Sequence, residues 1–123
     1  MEKKEKNSVF YYKKAKAEKL YNQGNYEMAF RLYLELAGTE DPAVLFMVGN
    51  MYHYGQGTEV NFQQARVYYE MAIERKDLRA RCYLALMYYK GEGVERDPLT
   101  AKRLLDANSE IDIHSLDLSL IHI

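Results

Sequence analysis

Cysteine occurs once in the 123 residues of this chain, at Cys82. A single thiol excludes a disulfide within the chain and is typical of proteins from a reducing compartment. Long apolar runs are also lacking, because no stretch is long enough to span a bilayer and the lysine-rich start is not followed by the apolar segment of a secretory signal. The sequence therefore predicts a cytoplasmic protein that does not enter membranes.

An excess of charge of either sign is lacking as well, since 17 Lys and Arg face 18 Asp and Glu and the formal net charge is −1. Proteins that bind nucleic acid usually present a strongly basic face, so we predict no nucleic-acid partner. The charge is unevenly distributed: the first twenty residues hold seven lysines and three glutamates, whereas four carboxylates and no Lys or Arg follow from Asp106 onward. Opposite charges at the two ends suggest head-to-tail contact between copies, although solvated termini are the simpler interpretation.

An internal repeat with an offset of 36 residues organises most of the chain. Segments 48–72 and 84–108 have identical residues at Met51 and Met87, Tyr52 and Tyr88, Gly55 and Gly91, Gly57 and Gly93, Glu59 and Glu95, and Ala65 and Ala101. A related unit precedes them, with Gly24, Tyr26, Ala29 and Tyr33 in a similar pattern and a tighter turn at residues 23–25. A repeat of this length is typical of stacked supersecondary units.

Each unit has the pattern of two helices. Leu45, Val48, Gly49 and Tyr52 recur with the spacing i, i+3, i+4, i+7, which places them on one helix face, and the second half of the unit has the same spacing. The helix ends are marked by N-cap and first-turn residues and by glycines just past the first helix of a unit. These signals are Asp41-Pro42, Asp97-Pro98, Asn61 with Gln64, Gly55 and Gly91. The fold class is therefore predicted to be all-α.

The segments MYHYGQGTEVNFQQARVYYEMA and MYYKGEGVERDPLTAKRLLDAN resemble the Sel-1-like repeat, and the first unit resembles a tetratricopeptide repeat. The resemblance covers about residues 10 to 108, with departures at Thr58, Leu104 and Asn108. It implies a right-handed α/α superhelix of three hairpins, with units at about 8–40, 41–76 and 77–108 inside a solenoid spanning 1–108. It also implies an adaptor or scaffold role without catalytic residues.

The two ends of a solenoid should be atypical, because one face has no neighbouring unit. Lys13 and Lys16 occupy positions that are apolar in the later units, so we expect them on a solvated outer face. Residues 109–123 belong to no repeat, and their apolar positions fit either a capping helix, which we favour, or a strand or mobile segment that binds a partner. The apolar positions of this C-terminal tail are Ile113, Leu116, Leu120 and Ile123.

In such a superhelix the first helix of each unit lines the concave surface. Aligning the units predicts an aromatic stripe there with polar edges, suited to binding a peptide. The positions expected to contact a partner are Tyr11, Lys14, Glu18, Tyr21, Asn22, Phe46, Asn50, His53, Tyr54, Cys82, Leu86, Tyr89 and Lys90, with Ala43 and Arg79 at the same inward level. The alternative is that several of these tyrosines only fill the seams between repeats.

Three functions follow from these observations. The first is a protein–protein interaction module whose concave groove binds another protein or a peptide, without a metal or a cofactor. The second is a structural subunit, a homo-oligomer that associates through its C-terminal tail and its oppositely charged ends. The third and most remote is a small hydrolase in which Cys82 and His53 form a thiol–imidazole pair. A lone cysteine on a helix is far more often an apolar filler, so we predict a protein that is not an enzyme.

Overall fold

The computed structural model describes the backbone of residues 2–106 and the side chains of residues 7–106. The C-terminal tail, with Ile113, Leu116, Leu120 and Ile123, lies outside the described residues. Six α-helices and one short 3-10 turn make up the described chain. They are α1 (Glu2–Asn22), α2 (Tyr26–Leu36), the 3-10 turn Ala37–Thr39, α3 (Pro42–Tyr54), α4 (Phe62–Glu74), α5 (Leu78–Lys90) and α6 (Pro98–Asp106).

The helices pair in chain order into three hairpins, α1 with α2, α3 with α4 and α5 with α6. The second helix of each hairpin then packs on the first helix of the next hairpin, α2 on α3 and α4 on α5. This is a helical repeat solenoid, and no strand occurs between residues 2 and 106. The prediction of an all-α repeat fold is therefore confirmed, whereas the boundaries of the units stay predictions.

The helix ends follow the residues that mark them in the sequence. Asp41 accepts a hydrogen bond from the backbone N–H of Val44 at 3.0 Å, and Pro42 occupies the first turn of α3. Asn61 and Asp97 do the same for α4 and α6, at 3.1 Å each. Gly55 and Gly91 end α3 and α5 in the left-handed conformation, as their positions predict.

Small residues allow the two helices of each hairpin to approach closely. Ala17, Gly49 and Ala85 are buried on the first helices, and their counterparts on the second helices are also buried alanines. A Cβ atom added at Gly49 would lie 2.8 Å from Cδ1 of Tyr69, well inside van der Waals contact. The size of these residues thus sets the distance between the paired helices, and the core forms along this line.

The N-terminal end differs from its prediction in one respect. Lys16 is exposed, as expected for an outer face. Lys13 instead turns toward the second helix of its own hairpin, where its Nζ lies 2.6 Å from Oε1 of Glu35 on α2. The ammonium group of Lys13 therefore forms an ion pair within the first hairpin instead of being solvated on the outer face. Surface ion pairs of this kind stabilise a fold by about 0–1 kcal/mol.

The buried Tyr33 of α2 makes the stability of the fold sensitive to alkaline pH. Burial, and then the charge of Glu18 and the neighbouring Tyr21, raise the pKa of Tyr33 from 10.0 to about 12. A pKa raised in the folded state means that the unfolded chain loses this proton first. The resulting stability is complete below pH 10 and is lost as the pH rises toward about 12.

We therefore expect Tyr33→Phe to flatten the alkaline fall of the free energy of unfolding by no more than about 3 kcal/mol between pH 10 and 12. Other buried tyrosines still titrate, so the variant keeps part of the fall. The measurement is urea unfolding of both chains, followed by circular dichroism at pH 8, 10 and 11.5. Parallel pH profiles for the two chains would contradict the assignment to Tyr33.

Candidate functional site

The structure divides the expected partner-binding residues into three groups by their exposure. Tyr11, Glu18, Asn22, Tyr54, Cys82 and Lys90 are exposed, and Lys14, Tyr21, Asn50, Leu86 and Tyr89 are half-buried. Phe46 and His53, by contrast, are only 5% and 3% exposed. These two residues do not line an open surface, which corrects the expectation for them. Contact of the remaining residues with a partner stays a prediction.

Phe46 and His53 are buried because their positions face the following unit rather than the solvent. Phe46 lies 5.3 Å from the ring of Tyr83 on α5, and His53 lies 3.0 Å from Glu92 in the segment after α5. The equivalent positions of the first unit behave in the same way. Lys14 Nζ lies 3.4 Å from Asp41 Oδ1, and the hydroxyl of Tyr21 donates to Gln56 at 2.9 Å. These positions are seam positions between units.

The accessible surface of the first helices follows another row of equivalent positions, spaced i, i+4, i+7 and i+11. This row includes three residues that the sequence analysis missed, Ala15, Met47 and Tyr83. Their spacing along the accessible side of each helix is the signal that could have identified them. We call the row the A-helix surface; it consists of Tyr11, Ala15, Glu18 and Asn22 of α1, Ala43, Met47, Asn50 and Tyr54 of α3, and Arg79, Tyr83, Leu86 and Lys90 of α5.

A layer of aromatic rings lies beneath the middle of the A-helix surface. The ring of Tyr83 stacks on that of Tyr69 at 6.0 Å and meets Phe46 edge-on at 5.3 Å. Tyr54 lies on top of His53, with ring centroids 4.4 Å apart. Burial raises the pKa of the Tyr54 hydroxyl, and Tyr83 and Glu92 raise it further, so this hydroxyl is neutral. The layer connects the second and third hairpins and holds the surface above it rigidly.

A chain of hydrogen bonds runs from the aromatic layer to the A-helix surface. Glu92 Oε1 lies 3.0 Å from Nε2 of His53, and Nδ1 of His53 lies 2.9 Å from the hydroxyl oxygen of Tyr69. The hydroxyl of Tyr69 donates in turn to Oδ1 of Asn50 at 2.7 Å. We call these four residues the Glu92–Asn50 chain. It joins the third unit to α3 and α4 of the second unit, and its two buried members, His53 and Tyr69, are both hydrogen-bonded.

The charged residues of the A-helix surface are of both signs. Arg79 lies over the ring of Phe46 at 4.4 Å and forms an ion pair with Asp77, with its Nη2 2.7 Å from Oδ2. The hydrogen bond to Asp77 raises the pKa of Arg79, so it stays charged. Glu18 and Lys90 are exposed at opposite ends of the surface. The surface thus offers aromatic and thioether groups at its centre and both charges at its edges.

The thiol–imidazole pair finds no support in this geometry. Both ring nitrogens of His53 are engaged, one by Tyr69 and the other by Glu92. A general base needs a free nitrogen within hydrogen-bond reach of the thiol, and His53 has none to offer to Cys82. Between residues 2 and 106, the chain has no helix of the length and apolarity that crossing a membrane requires.

A family model described as the Sel1 repeat matches residues 42–77 and 78–106. Protein sel-1 homolog 2 of Homo sapiens is 32% identical over 111 residues, which cover 88% of this chain and 16% of that protein. The ERAD-associated E3 ubiquitin-protein ligase component HRD3B of Arabidopsis thaliana is 36% identical over 75 residues, which cover 61% of this chain and 12% of that protein. The chain thus spans less than a fifth of the length of these relatives.

Solved structures agree with the sequence comparison. The Sel1 repeat protein of Oxalobacter formigenes superposes with a TM-score of 0.72 and 26% identity, over 80% of this chain and 39% of that one. A protective antigen of uropathogenic Escherichia coli with an SLR fold gives a TM-score of 0.73 at 20% identity, over 82% of this chain and 22% of that one, a likeness of fold alone. On its two matched repeats and its relatives, this chain belongs to the Sel1 repeat family.

Proposed function

We propose that this chain is a protein-interaction module that binds a peptide segment of a partner protein on the A-helix surface. The observation that supports this most is the exposure of large side chains on a rigid base. Tyr11 and Tyr54 are 65% and 51% exposed, and Tyr54 rests on the buried ring of His53. Tyrosines that are fixed from below lose little entropy on binding, which makes them effective contact residues.

Family membership supports the same proposal. HRD3B is by its name a component of a ubiquitin-protein ligase, hence a subunit of an assembly of proteins. A solenoid presents an extended surface without an enclosed pocket, and this suits a peptide better than a small substrate. A binding role without catalysis, in the cytoplasm, is therefore our proposal for the chain.

The test compares two double variants, each of which removes two exposed side chains. Tyr11→Ala with Tyr54→Ala changes the A-helix surface, and we expect it to weaken the capture of partners from the native cell at least tenfold, roughly the loss expected for two contact tyrosines. The matched control is Tyr12→Ala with Val67→Ala, because Tyr12 is 70% and Val67 43% exposed outside this surface. Partners are identified and quantified by mass spectrometry.

Two results would overturn the proposal, provided that circular dichroism shows both variants to be folded. One is equal capture by both variants, and the other is a loss that occurs only in the control. A variant of Phe46 would not serve here, because this side chain is buried in the seam and its removal would unfold the chain before it tested the surface.

A second candidate function, self-association, is favoured by the end face of the third hairpin. Cys82 is exposed and Tyr89 half-buried, although the equivalent Phe46 and His53 are buried by the following unit. Leu99 of α6 is 59% exposed on this hairpin. We propose that the C-terminal tail joins this face to a second copy. Sedimentation equilibrium should then give a dimer for the intact chain and a monomer for residues 1–108, whereas a monomer in both cases would contradict self-association.

A further inference from the structure

The Glu92–Asn50 chain determines which group of Asn50 the A-helix surface presents to a ligand. Oδ1 of Asn50 points to the hydroxyl of Tyr69, 2.7 Å away. Nδ2 of Asn50 has no hydrogen-bond partner among the described residues and is not sealed from solvent. The side-chain amide of Asn50 thus lies on the surface with its NH₂ group accessible to solvent.

Counting protons along the chain shows that this orientation depends on the charge of His53. A carboxylate can only accept hydrogen bonds, so Glu92 requires a proton on Nε2 of His53. Burial raises the pKa of Tyr69, as do its neighbours Tyr54, Tyr83 and Glu92, so its hydroxyl keeps its single proton. Tyr69 can give that proton either to His53 or to Asn50, but not to both.

The two protonation states of His53 therefore place the amide of Asn50 in opposite orientations. When both nitrogens of His53 carry protons, Nδ1 donates to Tyr69, Tyr69 donates to Oδ1 of Asn50, and Nδ2 faces the solvent. When only Nε2 carries a proton, Nδ1 accepts the proton of Tyr69, and Asn50 satisfies the Tyr69 oxygen only by turning its Nδ2 inward. The contact of Oδ1 with Tyr69 is the arrangement in which Tyr69 donates to Asn50. The donors and acceptors at Tyr69 and Asn50 are the same if the proton between Nε2 of His53 and Glu92 lies on Glu92.

One carboxylate and several tyrosines surround the imidazole of His53. The charged group in contact with it is Glu92, from the segment after α5, at 3.0 Å. The other titratable neighbours are Tyr69 of α4, Tyr54 stacked on the imidazole, and Tyr83 of α5, whose ring is 6.0 Å from that of Tyr69. Histidine generally changes its charge between about pH 5 and 8, and burial, which raises the pKa of Tyr69 and Tyr54, keeps these two tyrosines neutral there.

We propose that His53 is a positioning residue for the binding surface: when it is protonated, Asn50 donates hydrogen bonds to a carbonyl or carboxylate oxygen of the bound peptide, and when it is neutral, Asn50 presents an oxygen instead. The proposal rests on the peptide-binding function proposed above for the same surface. The pH thus determines whether Asn50 binds a hydrogen-bond acceptor or a hydrogen-bond donor of the peptide.

The first test needs no ligand and so stands apart from the proposed function. We expect the side-chain amide signals of Asn50 in ¹⁵N-resolved NMR spectra to shift with pH, at the same midpoint as the ring signals of His53. Glu92→Gln removes the charge that favours the proton, so both midpoints should move together to lower pH. In Tyr69→Phe, which keeps the ring, His53 should still titrate and Asn50 should no longer respond.

An Asn50 signal that is independent of pH while His53 titrates would overturn the proposal. So would a midpoint for Asn50 that does not follow that of His53 in Glu92→Gln. A histidine that only stabilises the seam would change the unfolding curves of these variants without linking the two signals.

The second test uses peptides selected from a random display library on the intact chain at pH 5.5. We expect them to bind about tenfold more weakly at pH 8, roughly the effect of losing one hydrogen bond and leaving its partner unsatisfied. In Asn50→Ala the affinity should be lower and the same at both pH values. Peptides that bind equally at both pH values, while the NMR signals are linked, would overturn the role in recognition and leave the binding function itself intact.

Discussion

Gly57→Ala is expected to lower the free energy of unfolding by about 2–4 kcal/mol, although the change adds only one methyl group to a loop. Gly57 has a φ of +76°, and a Cβ atom there would lie far closer to the carbonyl oxygen of Tyr26 than van der Waals contact allows. That oxygen belongs to the first turn of α2, in the preceding hairpin. The backbone cannot yield as a flexible side chain would, so the substitution separates the first two hairpins.

Gly24→Ala is the matched control for this prediction. Gly24 has a φ of +80°, and an added Cβ atom would meet nothing within 4 Å. The left-handed backbone costs both variants about 1 kcal/mol, and the contact with Tyr26 affects only Gly57→Ala. The measurement is urea unfolding of the two variants and the intact chain. Equal losses would mean that the loop of the second unit does not pack on α2 as tightly as the structure shows.

The fold could be predicted from the sequence because its determinants are local and repeated. The N-cap residues, the glycines past the first helices and the small residues of the second and third hairpins recur at an offset of 36 residues, and the signals at the helix ends act within a few residues of their own positions. Asp41 therefore begins α3, and Gly55 and Gly91 end α3 and α5, as expected. Lys13 departs from its expectation because its ion pair with Glu35 forms only when α1 packs on α2. The periodicity of α1 alone gives no information about this packing.

The candidate site was less predictable, because it depends on the rotation of α3 about its own axis. Phe46 and Met47 are adjacent in sequence and both apolar, so hydrophobic periodicity cannot decide which of them enters the seam. The decision comes from the following unit, since Tyr83 and the guanidinium of Arg79 cover Phe46. Periodicity identifies the helix that lines a surface, and the neighbouring hairpin selects the residues that the surface exposes.

The same dependence on neighbours explains the Glu92–Asn50 chain. Its members come from α3, α4 and the segment after α5. The hydrogen bond between His53 and Glu92 joins residues that are 39 positions apart in the sequence. In the equivalent pair of the first seam, Tyr21 donates to Gln56, so the contact recurs while its chemistry changes. Of the two seams between residues 7 and 106, the second combines an imidazole with a carboxylate. The sequence contains these residues at related offsets but does not reveal that they meet.

Tyr69→Ala is expected to unfold most of the described chain at room temperature. The ring of Tyr69 is fully buried and contacts Phe46, His53 and Tyr83, and its hydroxyl bonds Asn50. Removing an aromatic ring from such a site costs about 3–5 kcal/mol, the loss of the hydroxyl that bonds His53 and Asn50 costs about 1–3 kcal/mol more, and a repeat domain this short lies near the lower end of the 5–15 kcal/mol typical of folded domains. The measurement is the helical signal in circular dichroism, with Tyr68→Ala as the matched control.

Tyr68 precedes Tyr69 on α4 and stacks on Tyr52 at 5.9 Å, but it is only partly buried, so its removal should cost about 1 kcal/mol.

The extent of the loss in Tyr69→Ala is the more informative result. In a solenoid each unit is stabilised by its neighbours, and a single hairpin buries too little apolar surface to fold alone. Because the middle hairpin supports both others, the helical signal should fall by far more than the third that one hairpin contributes. A loss confined to about a third of the signal would show that the outer hairpins fold without the middle one, and that the seams around Phe46 and Tyr21 contribute little to stability.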